Sequence, residues 1–262
     1  MIMGSNATGS IQDAYSEIVV WWRALDDADK RLRLGESFPL AFSYNSGKIE
    51  NDEITYHDTK EIFEHGRVVG FTGDPRTIFE ISNLKTAWRE ALALSFSDAP
   101  VEIDDLLRLH ATLTVGTYDE ARWAKGERPG IFKLGDCAVA DNVGYAPDEV
   151  EGSVRELLDE VNEGLPTASG ASARSSLIVS CYAHAKLVEI HPFADGNGRC
   201  ARLLQNICLI KAGCPPFVVR ERNRMAYYGA LDAFHTEGDL DGFIDFCMVE
   251  SVGTWGGDDA VM

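Results

Sequence analysis

Apolar residues recur every three or four positions over most of the chain, which predicts amphipathic α-helices. The first stretch with this spacing covers residues 11–34 and predicts one long helix. Residues 175–190 are apolar around most of the helical circumference, as in a helix buried at the centre of a bundle. The same spacing predicts further helices over residues 52–65, 77–94, 103–113, 148–163, 199–211, 224–234 and 240–249.

Two stretches interrupt this helical pattern. Residues 126–147 are rich in glycine and proline, with only short apolar pairs between them, which is typical of a β-hairpin or an ordered flap. Earlier, Asn45, Ser46 and Gly47 follow a short aromatic stretch and indicate a turn or the start of a helix. We therefore predict a mainly α fold, a helical bundle with a small β-hairpin flap.

Composition and charge restrict the kinds of partner that the chain can bind and the cellular compartment that we expect for it. The chain has 262 residues, of which 42 are acidic and 24 are Lys or Arg, so its formal net charge is -18. A field of this sign repels polyphosphates, so we expect no nucleic-acid partner and no binding to an anionic membrane. The start of the chain lacks a secretory pattern, no apolar run is long enough to span a bilayer, and the cysteines form no C-x-x-C pair. These features predict a soluble, cytoplasmic protein.

Basic residues nevertheless concentrate in one part of this acidic chain. Residues 199–224 carry six Lys and Arg side chains and a single acidic one, Glu221. Positive charge gathered in this way can bind a small anion even where the whole molecule repels a polyanion.

The segment between two of the predicted helices has the residues of an anion site, and reads HPFADGNGRCAR over residues 191–202. Pro192 disfavours continuation of the preceding helix, so the chain turns there. Gly196 and Gly198 permit backbone conformations that other residues avoid, and their N–H groups are free to point inward. These groups lie at the N-terminus of the next predicted helix, where unpaired amides and the helix dipole favour an anion.

Charged side chains of the same segment suit a nucleoside triphosphate. Arg199 and Arg202 are spaced i, i+3, so both guanidinium groups project from one helix face towards the β- and γ-phosphates. Asp195 offers a hard oxygen for Mg²⁺, and His191 is a base placed to take a proton from an attacking hydroxyl. Each feature has an ordinary alternative, because D-G-N-G turns are common, single histidines cap helices and arginine pairs are usually solvated. Their conjunction favours a nucleotide site.

This segment resembles the signature of the Fic family, H-x-F-x-[D/E]-G-N-G-R-x-x-R, and matches it at every specified position. The resemblance implies a Fic-type helical fold and transfer of AMP from ATP to a Tyr, Thr or Ser hydroxyl of a target protein or of the chain itself. It also implies an N-terminal helical region over residues 1–100, a Fic domain over 101–250 and a flexible tail over 251–262. Family members are often oligomers, so a homo-oligomer is possible.

The resemblance also implies a role for individual residues. His191 deprotonates the hydroxyl, Asp195 holds the Mg²⁺ cofactor, and Phe193 anchors the loop in the core, with ATP as the substrate. The residues implied to bind the nucleotide, together with Asp195, are Gly196, Asn197, Gly198, Arg199, Arg202, Tyr227 and Tyr228, and the flap residues Cys137, Ala138, Val139 and Ala140.

A second and less specific pattern lies upstream. Ser46, Glu50 and Asn51 fit [S/T]-x-x-x-E-[G/N], which by itself also describes a helix N-cap followed by a solvated glutamate. Beside a Fic signature, it resembles the inhibitory helix of the subclass that carries this helix N-terminal to the catalytic core. The resemblance implies that Glu50 pairs with Arg202 and occupies the place of the γ-phosphate.

Alternative functions stay open at this point. The same site could remove AMP from a target, with Glu50 orienting water, or it could transfer phosphate or another nucleotide. It could also belong to a catalytically silent nucleotide-binding module. The intact glycine-rich turn at residues 196–198 favours AMP transfer over phosphotransfer.

Overall fold

Helices account for most of the fold. The computed structural model describes residues 10–135, 138–139, 142–165 and 172–257. Within these residues the chain forms α1 (Ile11–Ala24), α2 (Asp27–Gly35), α3 (Phe38–Glu50), α4 (Tyr56–His65), α5 (Pro75–Ser95), α6 (Ile103–Thr114), α7 (Glu120–Ala124), β1 (Ala138–Val139), β2 (Asn142–Val143), α8 (Pro147–Gly164), α9 (Ala173–Ile190), α10 (Asn197–Lys211), a 3-10 turn (Glu221–Asn223), α11 (Arg224–Glu237) and α12 (Asp241–Trp255). The predicted mainly α fold is confirmed.

The single helix predicted over residues 11–34 is in fact two helices. α1 ends at Ala24, and Asp26 caps α2, where its carboxylate accepts a hydrogen bond from the Asp29 N–H at 2.8 Å. Aspartate favours this position because it satisfies an amide that the first turn leaves unpaired. Apolar spacing alone does not register such a cap, so the predicted helix is too long.

Residues 45–47 lie inside α3 and form neither a turn nor a helix start, so that prediction is wrong. The helix starts earlier, with Pro39 in its first turn, where the missing N–H costs no intrahelical bond. Gly47 is accommodated in the helix because it packs closely, and a Cβ at this position would lie 2.7 Å from Ile54 Cδ1. The glycine that suggests a turn in the sequence serves instead as a packing contact.

The largest hydrophobic cluster surrounds α9 and α10. Almost every residue of α10 is buried, and α9 contributes Leu187 among others, as predicted for a central helix. Trp22 and Trp88 of the N-terminal helices belong to the same cluster as Leu203. The N-terminal helices and the part of the chain after residue 100 therefore share one core, and the predicted division between them stays a prediction.

The C-terminal tail predicted from residue 251 starts later, because α12 continues to Trp255. The Trp255 ring packs against Trp22 and Phe38, with centroids 5.4 and 5.8 Å away, and its indole N–H donates to the Pro216 carbonyl. Aromatic side chains bury large apolar surfaces, and this contact extends the helix beyond the point where the sequence turns rich in glycine and aspartate.

The predicted hairpin is present as a pair of two-residue strands. β1 runs antiparallel to β2, with Ala138 opposite Val143. The flap residues Cys137 and Ala140, two of the predicted nucleotide contacts, lie outside the described residues.

Two further findings concern the described residues as a whole. None of the helices found there is long and apolar enough to cross a membrane. The cysteines found there are free and buried, and they are Cys181, Cys200, Cys208, Cys214 and Cys247.

Candidate active site

The turn between α9 and α10 holds two residues in left-handed backbone conformations. His191 caps the end of α9 with φ 52°, and it is the one non-glycine residue with positive φ in the described part of the chain. Gly196 caps the start of α10 with φ 84°. Strain at a non-glycine residue must be compensated by its surroundings, and such residues cluster at functional sites.

Asn197 holds this turn together through its amide group. Its Oδ1 accepts a hydrogen bond from the Phe193 N–H at 2.9 Å, and its Nδ2 donates to the Phe193 carbonyl at 2.8 Å. These two bonds fix the orientation of the amide. The same Nδ2 therefore donates to His191 Nε2, 2.9 Å away, which must be the unprotonated ring nitrogen.

His191 is neutral near physiological pH. Burial and the neighbouring Lys133 lower the pKa of its imidazole to about 4. A neutral ring with a lone pair on Nε2 is the form of histidine that accepts a proton. The structure thus gives His191 the protonation state that its predicted role requires.

His110 of α6 holds the turn between α9 and α10 in place. Its Nδ1 accepts a hydrogen bond from the Gly130 N–H at 2.9 Å, so its Nε2 carries the proton and donates to the Asp195 carbonyl at 3.0 Å. Its ring also stacks on the buried Phe193 ring, with centroids 3.8 Å apart. Burial lowers the pKa of His110 to about 4, so the neutral tautomer persists. In the sequence, His110 is only a histidine on an amphipathic helix, a pattern that usually indicates packing. The sequence therefore does not predict the contact between His110 and the loop.

Both carboxylate oxygens of Asp195 have partners. Oδ1 accepts from the Gly196 N–H at 2.6 Å and from Arg199 Nη2 at 3.0 Å, and Oδ2 accepts from Arg76 Nη2 at 2.6 Å. Burial alone would raise the pKa of Asp195, but Arg199 and Arg76 hold it below its usual value. The ionised carboxylate at a helix N-terminus has the chemistry of a Mg²⁺ ligand, because Mg²⁺ in proteins is commonly held by one or two carboxylates and substrate phosphates.

Arg76 and Glu80 are further neighbours of the site that sequence patterns do not reveal. Arg76 Nε donates to Glu80 Oε1 at 2.9 Å, and Arg199 Nη1 lies 3.6 Å from the same oxygen. Arginine and glutamate spaced i, i+4 are common on exposed helix faces. Nothing in that spacing indicates a contact with Asp195, 119 positions further along the chain.

The structure brings the predicted inhibitory helix to Arg202. Arg202 Nη2 donates to Glu50 Oε1 at 2.6 Å and to the Ser46 carbonyl at 3.1 Å, while Nε donates to the Ser46 hydroxyl at 2.9 Å. Arg202 Nη1 donates to the Tyr227 hydroxyl at 3.2 Å. These bonds engage most of the guanidinium N–H groups and leave little capacity for a phosphate.

Glu50 reaches Arg202 across Gly198. A Cβ at Gly198 would lie 2.5 Å from Glu50 Oε1, so a larger residue would collide with the carboxylate. Glu50 therefore occupies the N-terminus of α10, where an anion is favoured. Asn51, the third predicted inhibitory residue, donates instead from Nδ2 to Glu80 Oε2 at 2.7 Å.

The two tyrosines predicted to bind the nucleotide contact Arg202 and α3. Tyr227 is fully buried, and its hydroxyl lies 2.8 Å from His184 Nε2 as well as accepting from Arg202. Tyr228 is partly exposed and donates its hydroxyl hydrogen to the Ile49 carbonyl at 3.3 Å. Tyr227 thus positions Arg202, and Tyr228 contacts α3.

The flap is attached on both sides of His191. The Lys133 N–H donates to the Pro192 carbonyl at 2.9 Å, and the Tyr145 N–H donates to the Ile190 carbonyl at 3.1 Å. Because backbone bonds lie before and after the hairpin, its base cannot move without moving the chain that carries the imidazole.

Known proteins resemble the chain in sequence and in fold. Residues 100–209 match the model of the Fic/DOC family. Protein adenylyltransferase fic-1 of Caenorhabditis briggsae is 28% identical over 212 residues, which are 80% of this chain and 39% of that protein. Protein adenylyltransferase Fic of Drosophila persimilis is 31% identical over 204 residues, which are 78% of this chain and 37% of that protein. The chain therefore spans less than half the length of these two relatives.

A solved structure shows the same fold. The crystal structure of a Fic domain containing signaling protein from Bacteroides thetaiotaomicron superposes with a TM-score of 0.74 at 21% identity, covering 94% of this chain and 95% of that one. The family model covers the complete signature at residues 191–202, and the fold around that signature is shared. The chain belongs to the Fic family.

Proposed function

We propose that the chain is a protein adenylyltransferase, which transfers AMP from ATP to a hydroxyl group of a protein. The proposal rests on one observation. A neutral His191 and Asp195 lie in the turn that leads into α10, and Arg199 and Arg202 lie in the first two turns of that helix. A base beside a cationic anion site is what nucleotidyl transfer to a hydroxyl requires. The two relatives described above are named protein adenylyltransferases, which supports this reaction class.

In the proposed reaction, the attacking hydroxyl replaces Asn197 Nδ2 as the hydrogen-bond donor to His191 Nε2, and this nitrogen then takes the hydroxyl proton. The hydroxyl oxygen forms a bond to the α-phosphorus of ATP, the bond from that phosphorus to the bridging oxygen breaks, and pyrophosphate leaves. Negative charge on bound ATP would raise the low pKa of His191 and make it a stronger base. Arg199, Arg202 and the amides of the first turn of α10 bind the phosphates and stabilise the developing charge.

Mg²⁺ is the proposed cofactor. Asp195 would hold it, and when bound it neutralises charge on the leaving pyrophosphate. We further propose that Gly196, Asn197 and Gly198 shape the phosphate site, with Asn197 setting the position of His191.

Autoinhibition by Glu50 is part of the proposal. Its carboxylate satisfies Arg202 at the anion site, so a phosphate group that binds Arg202 must first displace Glu50. Glu50 is partly exposed, while Arg202 is buried, so the Glu50 side chain can leave Arg202 while the buried residues of α3 stay packed. The catalytic region we propose covers residues 101–250, and residues 1–100 supply the inhibitory helix.

The proposed partners are ATP and a target protein, with the chain itself as a second possible substrate and a homo-oligomer as a possible assembly. The acidic net charge of -18 makes nucleic acid an unfavourable partner. The free thiols in the described part of the chain support a reducing compartment such as the cytoplasm.

Substitution of Glu50 tests both the activity and its inhibition. We expect Glu50→Gly to raise incorporation of label from [α-³²P]ATP into protein roughly tenfold or more, because a hydrogen bond between charged groups contributes about 1.5–3 kcal/mol. Adding His191→Ala should abolish this labelling, since no base remains.

Glu17→Gly is the matched control, because Glu17 is an exposed glutamate within α1. It should label no more than the wild type. Equal labelling by the wild type and Glu50→Gly would contradict inhibition by Glu50. ATP binding without any labelling in Glu50→Gly, with added candidate targets or lysate, would contradict the transferase.

A further inference from the structure

Besides the contacts made by Arg199 and Arg202, the site contains a cation–carboxylate contact that comes from α5. Arg76, from the first turn of α5, donates from Nη2 to Asp195 Oδ2 at 2.6 Å. The other oxygen of Asp195 already accepts from Gly196 and Arg199. Oδ2 is the oxygen with fewer partners, and the Arg76 guanidinium lies against it, so a metal ion that binds Oδ2 must compete with Arg76.

Glu80 holds Arg76 in this position. It is buried on α5, and its Oε1 accepts from Arg76 Nε at 2.9 Å. Its Oε2 accepts from Asn51 Nδ2 at 2.7 Å, and Asn51 directly follows the last residue of α3. The end of the inhibitory helix is therefore joined to Asp195 through Asn51, Glu80 and Arg76.

The exposure of these side chains decides which of them can move. The Asp195 and Glu80 side chains are 18% and 4% exposed, whereas that of Arg76 is 36% exposed. Arg76 can therefore swing into solvent without leaving an empty space in the core. A divalent cation at Asp195 would repel the guanidinium and favour this movement.

We propose that Arg76 is a second inhibitory contact, which competes with Mg²⁺ for Asp195 Oδ2 and which Glu80 couples to the inhibitory helix. The inference rests on the proposed function and adds a step to its regulation. Arg76 is repelled from Oδ2 when Mg²⁺ binds there with ATP. Displacement of Glu50 loosens the last turn of α3, draws Asn51 away from Glu80 and weakens the hold on Arg76, so the contacts at Arg202 and at Asp195 open together.

Metal affinity tests this proposal without any catalytic turnover. Mn²⁺ replaces Mg²⁺, and its electron paramagnetic resonance signal reports binding to the full chain saturated with α,β-methylene-ATP, which cannot release pyrophosphate. We expect Arg76→Ala to tighten Mn²⁺ binding about threefold to tenfold, as for loss of a competing, partly exposed ion pair. Asp195→Asn should abolish specific binding, and Arg89→Ala, an exposed arginine of the same helix, should change nothing.

The coupling is tested by combining substitutions. In Glu50→Gly, where α3 loses its carboxylate contact with Arg202, the effect of Arg76→Ala on Mn²⁺ affinity should shrink to less than half of its wild-type value on a logarithmic scale. If Glu50→Gly and Arg76→Ala change the Mn²⁺ affinity by independent factors, so that the double variant shows their product, the coupling through Glu80 is overturned.

The remaining outcomes separate this inference from the proposed function. Unchanged or weaker Mn²⁺ binding in Arg76→Ala, with a normal melting curve, would overturn the role of Arg76 and leave the transferase proposal intact. Absence of Mn²⁺ and nucleotide binding in every variant, Glu50→Gly included, would overturn the proposed function and this inference with it.

Discussion

The histidine that supports the signature loop is held by two hydrogen bonds of opposite polarity. His110 accepts at Nδ1 from the Gly130 N–H and donates from Nε2 to the Asp195 carbonyl. A protonated ring would place two N–H groups against each other at Nδ1, so only the neutral tautomer fits. Its burial and stacking on Phe193 make it the point where α6, the base of the flap and the signature loop meet.

His110→Phe isolates these hydrogen bonds from the stacking contact. Phenylalanine keeps an aromatic ring against Phe193 but leaves the Gly130 N–H and the Asp195 carbonyl unpaired. We expect a loss of about 2–4 kcal/mol in the free energy of unfolding, measured with urea, and slower AMP transfer in the Glu50→Gly background. His57→Phe, at an exposed position of α4, should show neither effect. Wild-type stability in His110→Phe would contradict the role assigned to these bonds.

Individual site residues were predictable only where the chemistry is contiguous in the chain. The signature at residues 191–202 brings together base, carboxylate and arginines on one turn and one helix, so its spacing implies their proximity. Arg76 and Glu80 reach the same site by tertiary packing of α5, and their i, i+4 spacing equally describes a solvated pair. Glu50 was found through the resemblance of its motif, because the spacing alone also fits an N-cap.

The flap depends on a close approach of its backbone to the chain at the end of α9. Its return arm passes over the end of α9, and a Cβ at Gly144 would lie 2.7 Å from the Ile190 carbonyl and in collision with His191 Cβ. Glycine at this position allows the Tyr145 N–H to reach the Ile190 carbonyl. The sequence predicts a hairpin from its glycines, but it does not show which of them faces the catalytic turn.

Gly144→Ala should therefore misplace the flap relative to His191. We expect AMP transfer in the Glu50→Gly background to fall roughly tenfold to a hundredfold, because small displacements of reacting groups are costly. The melting temperature should fall only slightly, since the substitution does not change the helical core. Gly152→Ala is the matched control, because a Cβ there meets no atom within 4 Å on the exposed face of α8. Equal rates in the two alanine variants would show that the close approach is unimportant for activity.

The boundaries of elements were less predictable than their existence. Helical spacing correctly indicated the central α9 and α10, where burial on most sides leaves a continuous apolar pattern. The same spacing predicts a single helix across α1 and α2, because the cap at Asp26 that separates them depends on a single hydrogen bond. It also ended the last helix too early, since Trp255 is held by partners distant in sequence.

At the scale of the whole molecule, the two ends of the described chain meet beside α3, the proposed inhibitory helix. α1 and α12 pack together, and the Trp255 ring lies against Trp22 of α1 and Phe38 at the start of α3. α3 carries Glu50 at its other end, so the C-terminal helix supports the element that we propose to be inhibitory. The acidic surface of the molecule and the arginines gathered at its site are compatible because Asp195, Glu80 and Glu50 neutralise those arginines.

Trp255→Ala tests whether this support extends to inhibition. Removal of the ring should lower the free energy of unfolding by about 2–3 kcal/mol, somewhat less than for a fully buried tryptophan. Because Phe38 loses a stacking partner, the start of α3 should loosen, and labelling from ATP should rise above that of the wild type at a temperature where the variant is still folded. Val249→Ala, an exposed apolar position of the same helix, is the control and should leave both quantities nearly unchanged. Loss of stability without any gain in labelling would mean that Trp255 stabilises the core but does not affect inhibition. Glu50 would then be held in place at the other end of α3, by the bonds between Ser46 and Arg202.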